Sequence, residues 1–115
     1  VQEAHHAFKK DSPSGTAITI GEKLLTALER KEKLVTETLH RPIEPGELQV
    51  SSVRGGAVPG QHRVTFDSLF DTIEITHTAR NRRGFATGAV RAAEWLAGRT
   101  GFFTVDDFIT DVIGA

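Results

Sequence analysis

The stretch EAHHAFKKDSPSGTA, residues 3–17, decides how the first part of the chain folds. It begins inside a short strand candidate, residues 1–6, and ends where a helix is expected to start. Pro13 and Gly15 interrupt regular structure, so residues 8–16 are predicted to form the loop between the two elements. The polar side chains of this loop are therefore expected to collect at the start of a helix.

Apolar spacing predicts that helix and the loop after it. Residues that recur every three to four positions form one stripe: Ala17, Ile20, Leu24 and Leu28. We expect the helix to end in a solvated charged run at residues 31–33. Residues 36–46 contain Pro42, Pro45 and Gly46, so they are predicted to be a loop.

The middle of the chain has the pattern of strands. An extended run at residues 48–54 leads into the glycine-rich residues 55–60. We interpret these as a hairpin turn rather than a phosphate cradle, because no helix comes after them. Residues 62–66 form the next strand. Residues 73–79 alternate most regularly between apolar and polar side chains, which predicts a half-buried antiparallel strand.

Two helices are predicted to close the chain. The first covers residues 85–97, and Gly98 suits the position just beyond its cap. Thr104 and Asp107 resemble a capping box with Asp in place of the usual Glu or Gln, so a second helix is expected after them. The order of elements predicts an α+β fold, with one small mixed or antiparallel sheet of about four strands and helices on one face.

Length and composition exclude several classes of protein. The 115 residues suit a single domain, residues 1–115. The net charge of −1 disfavours nucleic acid as a partner, and no apolar run is long enough for a membrane helix. Cysteine is absent, which excludes disulfides and thiolate metal sites and favours the cytosol. Because strand-like sequence begins at once, we expect the chain to be a fragment of a longer protein.

The loop concentrates groups that bind anions. His5, His6 and Lys9 precede a helix N-terminus, where unpaired backbone N–H groups and the helix dipole favour negative charge. The Ser-Gly-Thr run at residues 14–16 would add backbone donors and hydroxyls. The simpler interpretation is that Ser14 only caps the helix. If both histidines serve one site, the strand must end near His5, because consecutive strand residues point to opposite faces.

The remaining histidines carry weaker signals. His40, His62 and His77 could join the pair in the loop on a metal, but no recognised ligand spacing is present, so a zinc site is disfavoured. We expect His62 at the surface and His77 hydrogen-bonded in the core.

A basic run comes after the last predicted strand and contains Arg80, Arg82 and Arg83. We expect a solvated loop. Contact with an anion or with another domain is the alternative, and it is favoured only for Arg82.

The loop residues resemble a known family. EAHH at residues 3–6, Lys9, Asp11 and PSGTA at residues 13–17 are similar to the signature of 4-hydroxy-tetrahydrodipicolinate reductase, also called dihydrodipicolinate reductase. The similarity continues through the second half in the patterns SVRGG, GxHxVxF, IEIxHxA, RxxFAxGA and GFFxVxD. Residues 36–48 carry little of it.

The resemblance implies a function for the whole protein. The family reduces a cyclic dicarboxylate in the diaminopimelate route to lysine with NADPH or NADH, in the cytoplasm. A separate N-terminal Rossmann domain binds the nucleotide, and this chain is similar to the C-terminal domain, which binds substrate and builds a homotetramer through its sheet. This chain alone would then be inactive. The alternative is a stand-alone anion-binding module without catalysis.

The resemblance also implies roles for individual residues. His5 matches the catalytic acid/base of the family, and Lys9 matches its catalytic proton donor. His6 matches a substrate contact, and Ser14, Gly15 and Thr16 match the loop that holds a substrate carboxylate. No residue of this chain is expected to bind the nucleotide or a metal.

Overall fold

The computed structural model describes residues 1–114, which contain six strands and three helices. The elements in order are β1 (Gln2–His5), α1 (Gly15–Ala27), β2 (Lys33–Val35), β3 (Glu47–Gln49), β4 (Ser51–Arg54), β5 (Gln61–Asp67), β6 (Thr72–Thr78), α2 (Arg83–Leu96) and α3 (Val105–Ile113). The predicted single domain consists of two compact units, Val1–Arg80 and the part of the chain from Asn81 onward.

The main sheet lies in the first unit and has the strand order β4-β1-β5-β6. β1 is parallel to β4 and antiparallel to β5, and β5 is antiparallel to β6. The predicted α+β class with a mixed sheet of four strands is therefore confirmed. The register aligns Ser52, Glu3, His62 and His77 across the four strands. Aligned residues point to the same face, so these polar side chains form one row.

Strand pairing overturns two of the sequence predictions. Residues 55–60 are not a hairpin turn, because β4 and β5 lie on opposite sides of β1 and do not pair. The predicted run at residues 48–54 is divided between two sheets at the fully buried Val50. The first error arises because neighbours in sequence need not be neighbours in a sheet when an earlier strand inserts between them. The second arises because β3 pairs with β2 in a separate sheet, whereas β4 pairs with β1.

The predicted solvated helix end is also wrong. α1 ends at Ala27, and the charged run leads into β2, which is parallel to β3 in a second, two-stranded sheet. Val35, the last residue of β2, is buried. Its partner strand lies beyond a proline-containing loop, so local periodicity gives no sign of the pairing.

An ion-pair cluster supports this second sheet. The carboxylate of the buried Glu47 accepts two hydrogen bonds from Arg41, at 2.9 and 2.7 Å, and one from the backbone N–H of Glu44 at 3.0 Å. Lys33 lies 3.1 Å away. The hydrogen bonds from Arg41 and Glu44 lower the pKa of Glu47 to about 2, despite the opposing effect of burial. The predicted loop at residues 36–46 is thereby anchored to the start of β3.

The core of the first unit lies beneath α1, at the buried residues Ala17, Val35 and Val50. Gly21 on α1 allows close approach, since a Cβ atom there would lie 2.8 Å from the Leu34 side chain. β6 departs from the prediction of a half-buried strand, because all seven of its residues are exposed. His77 is therefore exposed and is not a core residue. The apolar side chains of β6, Ile73 and Ile75, are exposed.

The second unit is held by an aromatic cluster. Trp95 packs edge-on against Phe103 and Phe108, with ring centroids 5.3 and 5.5 Å apart. The side chain of Asp111 accepts hydrogen bonds from Trp95 Nε1 at 2.6 Å and from Arg99 at 2.7 Å. These contacts join α2 to α3.

Local signals at the ends of the last two helices are confirmed. Gly98 lies just beyond α2 with a φ of +78°, a conformation that favours glycine. Thr104 and Asp107 form the predicted capping box. Among residues 1–114, none of the helices combines the length and the hydrophobicity that crossing a bilayer requires.

Candidate functional site

A buried carboxylate organises the candidate site. Glu3 on β1 is 2% exposed, and both of its oxygens are engaged. Oε1 accepts from the Ser14 backbone N–H at 3.0 Å and from Arg54 Nη2 at 2.7 Å. Oε2 accepts from Arg54 Nη1 at 2.8 Å and contacts His5 Nδ1 at 2.6 Å. One side chain thus connects β1, β4 and the loop before α1.

The charge on Glu3 is favoured by these contacts. Burial by itself would raise the pKa of this carboxyl, but the hydrogen bonds from Arg54, His5 and Ser14 outweigh it. The pKa of Glu3 is held at about 2. The pair with Arg54 is bidentate, which is the geometry that a guanidinium and a carboxylate prefer. Glu3 is therefore an anion at neutral pH.

His5 is the last residue of β1, so the condition that the strand end near it is met. Its side chain is 12% exposed. Nδ1 faces Glu3, whereas Nε2 has no hydrogen-bond partner among residues 1–114 and lies beside Gly60. A Cβ atom on Gly60 would lie 3.1 Å from Nε2. The glycine therefore leaves room for the imidazole ring.

The start of α1 is capped by Ser14, which is buried. Its Oγ accepts from the Ala17 backbone N–H at 3.1 Å and lies 2.8 Å from Nε2 of His62. The predicted surface position of His62 is wrong, since this ring is partly buried and contacts His5 edge-on at 5.2 Å. Burial lowers the pKa of His62, and the nearby His5 lowers it further.

The loop already holds one carboxylate, that of its own Asp11. Lys9 Nζ donates to Asp11 Oδ1 at 2.6 Å. The pKa of Asp11 is lowered, first by this hydrogen bond and further by backbone N–H groups that include that of Gly15. The ammonium group of Lys9 is therefore paired with a carboxylate of the loop that leads directly into α1.

The other predicted site residues border this loop. His6 lies just beyond β1 and is partly exposed, while Gly15 and Thr16 are exposed in the first turn of α1. Gly15 has nothing within 4 Å of the position of a Cβ atom, so its surface is open. The structure thus gathers the six predicted residues around one end of β1 and α1.

Sequence reasoning misses two of the organising residues. Glu3 lies in the family motif, but its pattern alone gives it no role, and Arg54 lies 51 residues away from it. No sequence spacing reveals that pair, because the contact depends on β4 lying beside β1. Within residues 1–114 there is no group of three or more His, Cys, Asp or Glu side chains placed to hold a metal ion. The three arginines at 80, 82 and 83 are all exposed, and Arg83 is the first residue of α2.

Comparison with a solved structure identifies the fold. The fold is similar to that of a protein described as dipicolinate-bound dihydrodipicolinate reductase from Paenisporosarcina sp. TG-14, with a TM-score of 0.60 and 23% identity. The match covers 77% of this chain and 36% of that protein. The architecture is therefore that of an α+β domain found within a larger reductase.

Sequence comparison then gives the family. The profile described as "Dihydrodipicolinate reductase, C-terminus" matches residues 1–109, so the chain belongs to this family. Relatives named 4-hydroxy-tetrahydrodipicolinate reductase occur in Christiangramia forsetii, 47% identical over 97% of this chain, and in Myxococcus xanthus, 49% identical over 86%. The matches cover 45% and 38% of those proteins, so the chain spans less than half of their length.

Proposed function

We propose that the chain is the substrate-binding domain of an NAD(P)H-dependent reductase that transfers hydride to the cyclic dicarboxylate 4-hydroxy-tetrahydrodipicolinate. This reaction belongs to the diaminopimelate route of lysine biosynthesis. Family membership supports the reaction, and one observation carries the substrate class: in the loop that leads into α1, the ammonium group of Lys9 holds a carboxylate, that of Asp11, at 2.6 Å. A substrate carboxylate that approached this loop would meet the same kinds of donor.

The proposed roles rest on the groups available in the loop. His5 and Lys9 are the catalytic residues, since hydride arrival leaves negative charge on the substrate and a proton must neutralise it. Gly15 and Thr16 supply exposed N–H groups and a hydroxyl to a substrate carboxylate. His6 is a further substrate contact. Ser14 supports this binding as the cap that sets the start of α1.

The hydride is the contribution of a nicotinamide cofactor, NADPH or NADH. The described residues do not fit a dinucleotide: the glycine-rich segment 55–60 joins two strands, and the turn before α1 lacks the G-x-G-x-x-G pattern. We therefore propose that an N-terminal Rossmann domain binds the nucleotide and that residues 1–115 alone have no reductase activity. Calorimetric titration of this chain with NADPH should show no saturable binding.

We propose a cytoplasmic homotetramer that assembles through the sheet. The exposed edge strand β6 supports this, since Ile73 and Ile75 are 60% and 61% exposed. Apolar side chains on an uncovered strand are stabilised when another surface buries them.

Kinetics of the full-length protein test the proposed roles. Lys9→Ala should lower kcat by roughly 10²-fold or more, with a smaller effect on KM, because a general acid acts mainly in the transition state. Thr16→Val should chiefly raise KM, since its hydroxyl holds a group that the reaction leaves unchanged. Lys10→Ala is the matched control, because this neighbouring lysine is exposed and has no proposed role. An unchanged kcat in both Lys9→Ala and His5→Gln would refute this assignment.

The stand-alone anion-binding module remains the alternative, and binding data separate it from the reductase. Pyridine-2,6-dicarboxylate, a planar dicarboxylate, should bind to the loop and lose affinity in Lys9→Ala under either hypothesis. Reductase activity of the full-length protein with NADPH or NADH distinguishes the two. Binding without turnover would favour the module.

A further inference from the structure

We propose that Glu3 is the positioning residue of His5: its carboxylate, clamped by Arg54, selects the tautomer that carries the proton on Nδ1 and leaves Nε2 as the working nitrogen. The identity of the selected tautomer follows from the contacts of Glu3 and His5 and does not depend on the proposed function. The catalytic meaning of Nε2 rests on the proposed function, in which His5 exchanges a proton with substrate.

Glu3 and His5 are in direct contact. Glu3 Oε2 lies 2.6 Å from Nδ1 of His5, and the Glu3 side chain is fully buried. An ionised carboxylate can only accept hydrogen bonds, so the nitrogen that faces it must carry a proton. The pKa of Glu3, held at about 2, keeps the carboxylate ionised at any pH near neutrality. Neutral His5 therefore carries its proton on Nδ1.

The carboxylate cannot rotate away from the ring. Arg54 binds both oxygens of Glu3, at 2.7 and 2.8 Å, and the Ser14 backbone N–H donates to Oε1 at 3.0 Å. Arg54 is itself fixed, since it also donates to the backbone carbonyls of Val53 at 2.8 Å and Asp11 at 2.9 Å. The acceptor that faces Nδ1 is thus held by β4 and by the loop together.

Nε2, on the other side of the ring, has no hydrogen-bond partner among residues 1–114, and the adjacent Gly60 presents no side chain to it. The second imidazole of the cluster, His62, meets His5 edge-on, and its own Nε2 contacts Ser14 Oγ at 2.8 Å. Nε2 of His62 is therefore occupied by its hydrogen bond with the helix-capping residue Ser14. Of these two rings in the described part of the chain, His5 is the one whose Nε2 is available for exchange with a ligand.

Nitrogen-15 NMR of the full-length protein measures this directly, because the two ring nitrogens of a neutral histidine shift in opposite directions in the two tautomers. At a pH where His5 is neutral, we expect Nδ1 to be the protonated nitrogen. A protonated Nε2 in the unmodified protein would overturn the proposal, and this measurement needs no variant.

Glu3→Gln supplies the second test. Arg54 will attract the amide oxygen, which turns the amide NH₂ group toward Nδ1 of His5 and favours the proton on Nε2. We expect the tautomer ratio to change by at least tenfold. The control Glu22→Gln, an exposed position on α1, should leave the ratio unchanged. A Glu3→Gln protein that folds but keeps the proton on Nδ1 would contradict a positioning role, since a purely structural role predicts no change in the tautomer.

The kinetic readout separates this inference from the proposed function. If His5 acts through Nε2, Glu3→Gln should lower kcat at least tenfold and alter the pH profile, while the KM changes less. The tautomer decides whether Glu3 positions His5. The activity of His5→Gln decides whether His5 is catalytic, so the two ideas can fail independently.

Discussion

The ionised Glu3 makes the stability of the first unit depend on acid in a calculable way. The pKa of Glu3 is about 2 in the folded chain, against 4.5 for an unperturbed glutamate. Between these two pH values the unfolded state binds more protons than the folded state. The contribution of Glu3 to the free energy of unfolding is therefore fully present above about pH 4.5 and is lost as the pH falls through 2. The difference corresponds to about 3 kcal/mol of unfolding free energy, of which about 2 kcal/mol is lost by pH 3. The side chain is fully buried, so solvent screening does not reduce this value.

The assay is urea unfolding between pH 6 and pH 3, followed through the NMR amide signals of β1 and β4. These signals come from the first unit itself, whereas the single tryptophan, Trp95, lies in the second unit. The measurement is best made in a Glu47→Gln variant. The pKa of Glu47 is also about 2, so its protonation would destabilise the first unit over the same pH range as that of Glu3. A total change below about 1 kcal/mol, or a Glu3 carboxyl ¹³C signal that titrates near pH 4.5, would refute the reasoning.

Two further substitutions test packing and capping. Gly21→Ala should destabilise the first unit by about 1 kcal/mol, because crowding of Leu34 costs roughly 1–3 kcal/mol and the helix gains roughly 1. Its control is Gly88→Ala within α2, where nothing lies within 4 Å of a new Cβ atom, and this change should stabilise by roughly 0.5–1 kcal/mol in urea unfolding. Thr104→Ala removes the cap of α3 and should cost about 1 kcal/mol, measured as faster amide hydrogen exchange at Asp107; unchanged exchange there would count against the capping box.

The candidate site explains why its motif is dense in charge. Glu3 and Arg54 form a pair that fixes the loop, while Lys9 and Asp11 form a second pair at its surface. The buried pair gives rigidity, since the loss of one partner would leave an uncompensated charge. The surface pair joins Lys9, whose side chain is 20% exposed, to Asp11, whose side chain is 58% exposed. We expect the buried pair of Glu3 and Arg54 to have a structural role, and Lys9 in the surface pair to have a role in binding.

Features that depend on short-range contacts could be predicted from the amino-acid sequence. The stripe of α1, the capping box of Thr104 and Asp107, and the positive φ at Gly98 all involve residues close to each other along the chain. The cap formed by Ser14 is of the same kind. Hydrogen bonds between near neighbours are largely independent of the rest of the chain, so pattern and propensity predict them.

The strand order, and with it the centre of the site, depends on long-range packing that the sequence pattern does not reveal. β1 inserts between β4 and β5, which places Arg54 against Glu3 and His62 against Ser14. These partners are 51 and 48 residues apart. The entropy cost of closing such loops changes slowly with their length, so separation along the chain does not reveal which segments meet. Packing of whole faces selects the strand pairing. As a result Glu3, to which the sequence pattern gave no role, contacts Arg54, His5 and Ser14 at the centre of the site.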